Sequence, residues 1–310
     1  MNDTDAPTVR YNLTADQLRL LEDAWGGRLP DDFHFEWSDA VAQTDRDRRD
    51  TTARDALRDG GLLEPGPDGS VERHVRRFLD VLRRPTAVVT VRAWTRRRQW
   101  LEQVWCDAQW GISLLRAQVP SPGTTDPPPG DGDRQLPWAD EDAIRLSLAQ
   151  RGTALAEPLD LFEQVREPSG ERTVAVEPIV LNLAESVAVV AACRPDRSPE
   201  VAYELLRQVG ADRSGEPFHS LAGGIDAGFE VVVAAPDAPA RHGLYVRARG
   251  LWVSLGARID SVGAQVAAGL EPPTGQALAD ATAVRLAVVT AGTVVADYLT
   301  SVTDLQEGTP

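Results

Sequence analysis

The chain contains no lysine: all 32 of its basic residues are arginine. That excludes Schiff-base chemistry and the lysine grip of a P-loop. Cysteine is almost absent. Cys106 and Cys193 form no CxxC pair, and two thiols define no disulfide framework. Positive charge is scarce beside 47 acidic residues, so the formal net charge is −15. A nucleic-acid or anionic-membrane partner, which needs a basic face, is not expected. No apolar run is long enough to span a bilayer, so no membrane insertion is expected. The opening residues, Met1 to Ala6, lack an apolar h-region, which makes the cytoplasm the expected location.

Catalytic signatures are missing as well. The sequence has no GxGxxG, no GxxxxGK[ST] and no GxSxG elbow. His34, His74, His219 and His242 show no ligand-pair or triad spacing. Asp131 and Asp133 resemble the start of a calcium loop, but Leu136 and Pro137 stand where the sixth and seventh loop positions fall. No catalytic residue, cofactor or metal is therefore expected, and the chain is not expected to be an enzyme.

At 310 residues, 42% of them hydrophobic, the chain can bury a normal core. Thr14 to Gln17 forms a capping box before a helix whose stripe is Leu18, Leu21 and Trp25, stopped at Gly26-Gly27. Residues 1–10 read as frayed. Phe33 to Trp37 alternates as a half-buried strand. Residues 46–63 read as a polar lead-in followed by a helix stopped at Gly60-Gly61, and a second helix is expected over 71–82, followed by a strand over 87–91. Residues 98–108 have both helical and strand spacing, and a strand is favoured. A further strand covers 110–115.

Beyond a Pro/Gly-rich stretch at 119–138, a helix is expected over 141–150 and a buried helix or helix pair over 179–193, with a strand between them at 173–176. Ser198-Pro199-Glu200 starts another helix. Phe229 to Ala235, His242 to Gly250 and Leu251 to Leu255 then form strands leading into a helix that ends near Leu270. A small-residue helix over 277–299 closes the chain. The strands at 86–117 and 229–255 resemble each other. An internally duplicated α+β protein is expected, with a pseudo-twofold repeat of sheet-plus-helix halves around an antiparallel sheet. The expected divisions are 1–118, a linker at 119–138, a second half over 139–271, and a helix with polar tail over 272–310.

Three groups carry a functional and a plain reading side by side. Asp32, His34 and Glu36 would share one strand side, as a metal trio or simply as a solvent face. Arg96-Arg97-Arg98 near Trp94 and Trp100 would be a stacking site for nucleic acid or a solvated turn. Four tryptophans between Trp94 and Trp110 would pack in the core, or anchor a partner where exposed.

Leu13-Thr-Ala-Asp-Gln-Leu, Ala56-Leu-Arg-Asp-Gly-Gly-Leu-Leu, Asp68-Gly-Ser-Val, Phe78-Leu-Asp-Val-Leu-Arg-Arg-Pro85 and Gly243-Leu-Tyr-Val-Arg-Ala-Arg-Gly-Leu-Trp-Val-Ser254 resemble the EspG family. These are proteins associated with ESX (type VII) secretion in actinobacteria. The resemblance covers about two-thirds of the chain and weakens over 119–170 and after Glu271. It implies a cytosolic chaperone that binds the helical tip of PE–PPE-like pairs and keeps them soluble for export. No partner-binding residue carries over. The alternative expectation is a DNA-binding regulator, with the helix, helix and strand order of 51–91 read as winged-helix elements.

Overall fold

The computed structural model describes residues 8–37, 41–66, 69–96, 98–118, 143–166, 176–182, 185–186, 189, 198–208, 221, 224–236, 238–258 and 283–307. The expected linker, the 173–175 part of one strand, and the helix expected before Leu270 lie outside them.

The first half runs β1 (Val9–Leu13), α1 (Ala15–Trp25), α2 (Gln43–Asp59), α3 (Arg73–Leu79), β2 (Ala87–Thr95), β3 (Gln99–Cys106), β4 (Trp110–Gln118), β5 (Ile144–Gln150) and α4 (Arg151–Val165). The second runs β6 (Ile179–Asn182), α5 (Pro199–Gln208), β7 (Ala227–Ala235), β8 (Ala238–Ala248), β9 (Leu251–Arg258), β10 (Ala283–Val289) and α6 (Ala291–Glu307). All ten strands form one antiparallel sheet in the order β1-β5-β4-β3-β2-β7-β8-β9-β10-β6.

That order reads the same from both edges inward. Each half is a four-strand meander whose last strand takes the half's first strand onto its outer edge. The halves meet at β2 and β7, where Val91 faces Val231. Following the ladders outward from this pair matches Val104 with Tyr245, Ser113 with Ser254, and Arg145 with Arg285. The helix starts match too. Gln17 N–H donates to Thr14 Oγ1 (3.2 Å) and Thr14 N–H to Gln17 Oε1 (2.8 Å). At the corresponding place, Glu185 N–H donates to Asn182 Oδ1 (2.8 Å) and Asn182 N–H to Glu185 Oε2 (2.9 Å). The fold is thus α+β with the expected pseudo-twofold plan.

One sheet face carries α4 and α6 over the junction of the halves. Phe162 of α4 is fully buried, edge-on to Phe229 of β7 (centroids 5.0 Å apart) and tilted against Trp252 of β9 (5.4 Å). The core therefore crosses from one half to the other. On the opposite face, α1, α2 and α3 cover Leu101, Trp105, Ile112, Leu114, Leu146 and Leu148. A separate cluster in the second half joins Leu206 of α5 and Leu221 to Val246, Val253, Leu255, Val284 and Leu286.

Several elements differ from the sequence reading. Val9 and Arg10, at the end of the stretch expected to fray, belong to an edge strand, β1, held by β5. Residues 144–150 are β5 rather than helix, because both of their faces are buried, and the helix begins only at Arg151. Residues 179–182 are strand β6, not helix, pairing with β10. Residues 283–289 are strand β10, and the closing helix starts at Ala291 behind Thr290, whose Oγ1 accepts Thr293 N–H (3.0 Å). Residues 33–37 are not a strand. Asp31–Phe33 is a 3-10 turn, and Phe33 is buried edge-on to Trp105 instead of lying in a ladder.

Candidate interaction surface

Between the two helix-covered lobes the central strands have one face that no helix among the described residues covers. Strand alternation decides what it shows. Val89, Val91 and Ala93 of β2 turn to the α4/α6 side and are buried, so Thr90, Arg92 and Trp94 turn to the other. Val231 and Val233 of β7 likewise leave Glu230 and Val232 on the open side. Arg92 lies directly across from Glu230.

Charges on this face are arranged in two short chains. Glu230 accepts from His242 Nε2 (3.0 Å) and stands 3.5 Å from Arg92 Nη1. Asp32 receives Gln103 Nε2 at 3.4 Å and lies 3.6 Å from Arg116 Nη2, and Gln103 Nε2 also reaches Thr90 Oγ1 (3.4 Å). Arg92 is half exposed while its partner Glu230 is only 26% exposed. A hollow of about 240 Å³ lies between Asp32, Arg92, Trp94, Gln99, Leu101 and Glu230. Its floor is apolar (Leu101, the Trp94 ring) and its rim is charged with both signs. That pattern suits a protein partner better than a polyanion.

The residues singled out in the sequence are dispersed. Asp32 joins the central face, but His34 faces the other way. Its Nδ1 is 2.9 Å from Glu22 Oε2 and its Nε2 3.0 Å from Glu36 Oε1. Both ring nitrogens meet carboxylates, which accept only, so His34 is held as an imidazolium. The hydrogen bonds it donates to Glu36 and Glu22 push its pKa up. Among the described residues no three His, Cys, Asp or Glu side chains converge as a metal site. Trp100 and Trp105 are core residues, Trp110 is covered by Arg77 (4.5 Å to the ring centroid), and Trp94 is half-buried at the hollow. Arg96 and Arg98 flank the β2–β3 turn. His74 is exposed and His242 sits on the central face; His219 and Cys193 lie outside the described residues. Cys106 is buried, and burial pushes its thiol up to about 12, which leaves it inert.

The sequence reading missed a buried charge cluster beneath α4. Glu102 of β3 is fully buried and accepts from Ser113 Oγ (2.7 Å). Arg145 of β5 stands 3.6 Å from Glu102 and 3.5 Å from Glu157 of α4. Arg10 of β1 closes the cluster on Glu157 through Nη2 (2.9 Å) and Nε (3.1 Å). Burial raises the Glu102 carboxyl to about 7, with Arg145 opposing the rise. The charged groups come from four elements and balance formally; Glu102, Arg145 and Glu157 are buried under α4 while Arg10 closes the edge 46% exposed, so the cluster ties the helix to the sheet. The Arg145, Ser147 alternation within an apolar strand was its sequence signal.

A larger cavity, about 730 Å³, lies between α1, α2 and the β4–β5 ladder, lined by Phe35, Arg48, Arg49, Ala53, Arg116 and Ile144 among others. Arg49 is engaged with Asp16 (2.8 Å) and Trp37 (4.7 Å), so its charge is already satisfied. No helix among the described residues is long and apolar enough to cross a membrane. No family model matches the chain, and no curated protein matches it.

Proposed function

We propose that the protein is a type VII (ESX) secretion chaperone that acts in the cytoplasm without catalysis. In this reading it binds helical PE–PPE-like substrates, keeps them soluble and helps target them for export. The observation that carries the reading is the central face. It is flanked by two lobes, lies on the junction of the halves, and combines Trp94, Leu101 and Val232 with the Arg92–Glu230–His242 chain. The resemblance of the capping-box helix and of residues 243–254 to the EspG family supports the same reading.

An exposed apolar helix tip aggregates, and a preformed surface that binds only the folded tip keeps it soluble by mass action. A rigid ten-strand platform spares the ordering cost that a flexible binder would meet. Partner helices with small apolar ends and a few charged residues would meet the hollow and its rim.

The test is co-expression with a PE–PPE-like pair from the source genome, followed by chromatography with light scattering. A stoichiometric complex that keeps the pair soluble is expected. Arg92→Glu with Trp94→Ala should abolish it while leaving the chain folded. A client pair equally soluble alone, with no complex formed, sinks the reading. The regulator alternative is tested in parallel by titrating DNA at low salt.

A further inference from the structure

The duplicated plan lets one half be read as a template for the other. In the first half the arginine of the last meander strand, Arg145, is matched internally by Glu102, which also takes the Ser113 hydroxyl, and by Glu157. In the second half the same places hold Arg285, Ser254 and Asp297. Asp297 stands as far along the chain from Arg285 as Glu157 does from Arg145. The arginine, the hydroxyl and the helix acid are therefore kept.

What differs is everything that closes the site. Glu102, paired with Val91, corresponds to Gly243, paired with Val231. Leu115, paired with Arg145, corresponds to Gly256, paired with Arg285. Arg10 corresponds to Pro178. The result is a recess of about 560 Å³ lined by Pro178, Ser254, Arg285, Thr290, Thr293 and Asp297, among others. Arg285 is exposed and makes no ion pair among the described residues, whereas Arg145 is only 3% exposed and doubly paired.

Tyr245 decides from which side a carboxylate can come. Its ring lies over Gly243, where an added Cβ would stand 3.0 Å from it, and its hydroxyl donates to Asp297 (3.0 Å). The inner approach used by Glu102 is thus taken. The outer approach, filled in the first half by Leu115 and Arg10, is open among the described residues. A Cβ at Gly256 would meet nothing nearer than the Arg285 carbonyl at 4.0 Å.

We infer that this recess is a binding site for a carboxylate-bearing ligand, whose carboxylate is held by Arg285 and Ser254 in the way the first half holds Glu102. The site does not rest on the chaperone reading and lies on the opposite sheet face. Guanidinium and hydroxyl donors match a carboxylate, and the volume is that of a small-molecule pocket. Asp297 and the Thr290–Thr293 hydroxyl pair (3.0 Å) leave room for polar or cationic groups on the rest of the ligand. A small free acid and the C-terminus of a peptide share this chemistry.

The test is calorimetric titration of the full chain with succinate, with tetra-alanine, and with tetra-alanine amide. Saturable binding of succinate or of the free-acid peptide is expected, without binding of the amide. Succinate alone identifies a small acid as the source, and the peptide alone identifies a chain terminus. Arg285→Gln should weaken binding at least tenfold. Gly256→Leu, which restores the first half's residue, should do the same while melting like the parent. No saturable binding of either acid, or binding that survives Arg285→Gln, overturns the assignment.

Discussion

Replacing Glu102 by Gln tests whether the buried cluster is built as described. The carboxyl is fully buried, and its pKa is raised from the ordinary 4.5 to about 7, desolvation outweighing the attraction of Arg145. Below the unfolded value the group is neutral in both states and contributes nothing to pH dependence. Between about 4.5 and 7 the unfolded chain releases the proton while the folded chain keeps it, so stability falls as pH rises through this window. At about 1.4 kcal/mol per unit, the loss amounts to about 3 kcal/mol by pH 8. Glutamine accepts the same Ser113 hydroxyl and does not titrate. Urea unfolding followed by tryptophan fluorescence, run from pH 4.5 to 8 on both proteins, should show the variant gaining about 3 kcal/mol relative to the parent across the series. Other titrating groups are common to both proteins and cancel. Parallel stability curves would refute the reasoning, since they would mean that Glu102 ionises as readily in the fold as in the unfolded chain.

Four further outcomes are expected. Arg145→Met leaves Glu102 without its buried cation and Glu157 with Arg10 alone, and should cost about 3–5 kcal/mol in the same urea assay. Phe162→Ala removes the ring that touches both Phe229 and Trp252 across the halves and should cost a similar ~3–5 kcal/mol, read as a fall in the unfolding midpoint. Thr14→Ala and Asn182→Ala remove corresponding helix caps and should each cost about 1 kcal/mol. His34 has a raised pKa, so its stabilisation is present below the unfolded value near 6.5 and is lost as pH rises through the folded value. Its ring resonances should titrate above 6.5, and a midpoint below that would contradict the imidazolium between Glu22 and Glu36.

The legible parts of the sequence were those governed by neighbours in the chain. Thr14 and Gln17 announce their helix locally, and the β7–β9 valines alternate against one buried face. The strand reading of 98–108 also agrees with β3. The misread segments answer to distant partners. Ile144 to Gln150 was expected as helix, and the arginine inside this buried strand is explained only by Glu102 of β3 and Glu157 of α4. Asn182 and Glu185 spell a capping box as clearly as Thr14 and Gln17 do, but the surrounding apolar run hid the break between β6 and the helical residues 185–186. Phe33, Phe35 and Trp37 alternate by composition, yet Trp37 is clasped between the guanidiniums of Arg19 and Arg49 (4.8 and 4.7 Å), not paired in a sheet. The central face was invisible for the same reason: Asp32, Arg92 and Glu230 meet only after the whole sheet is assembled.

The β2–β7 seam has a consequence for how this protein can change. Two identical subunits joined edge to edge are bound to mirror every substitution, so a vacancy opened on one side opens on the other. Here a single chain carries both sides. One side has locked its interior with Glu102, Leu115 and Arg10, and so anchors the platform. The other, relieved of that duty, has traded the same three positions for Gly243, Gly256 and Pro178. Covalent linkage makes asymmetry heritable, and lets a symmetric scaffold hold rigidity at one end and receptivity at the other.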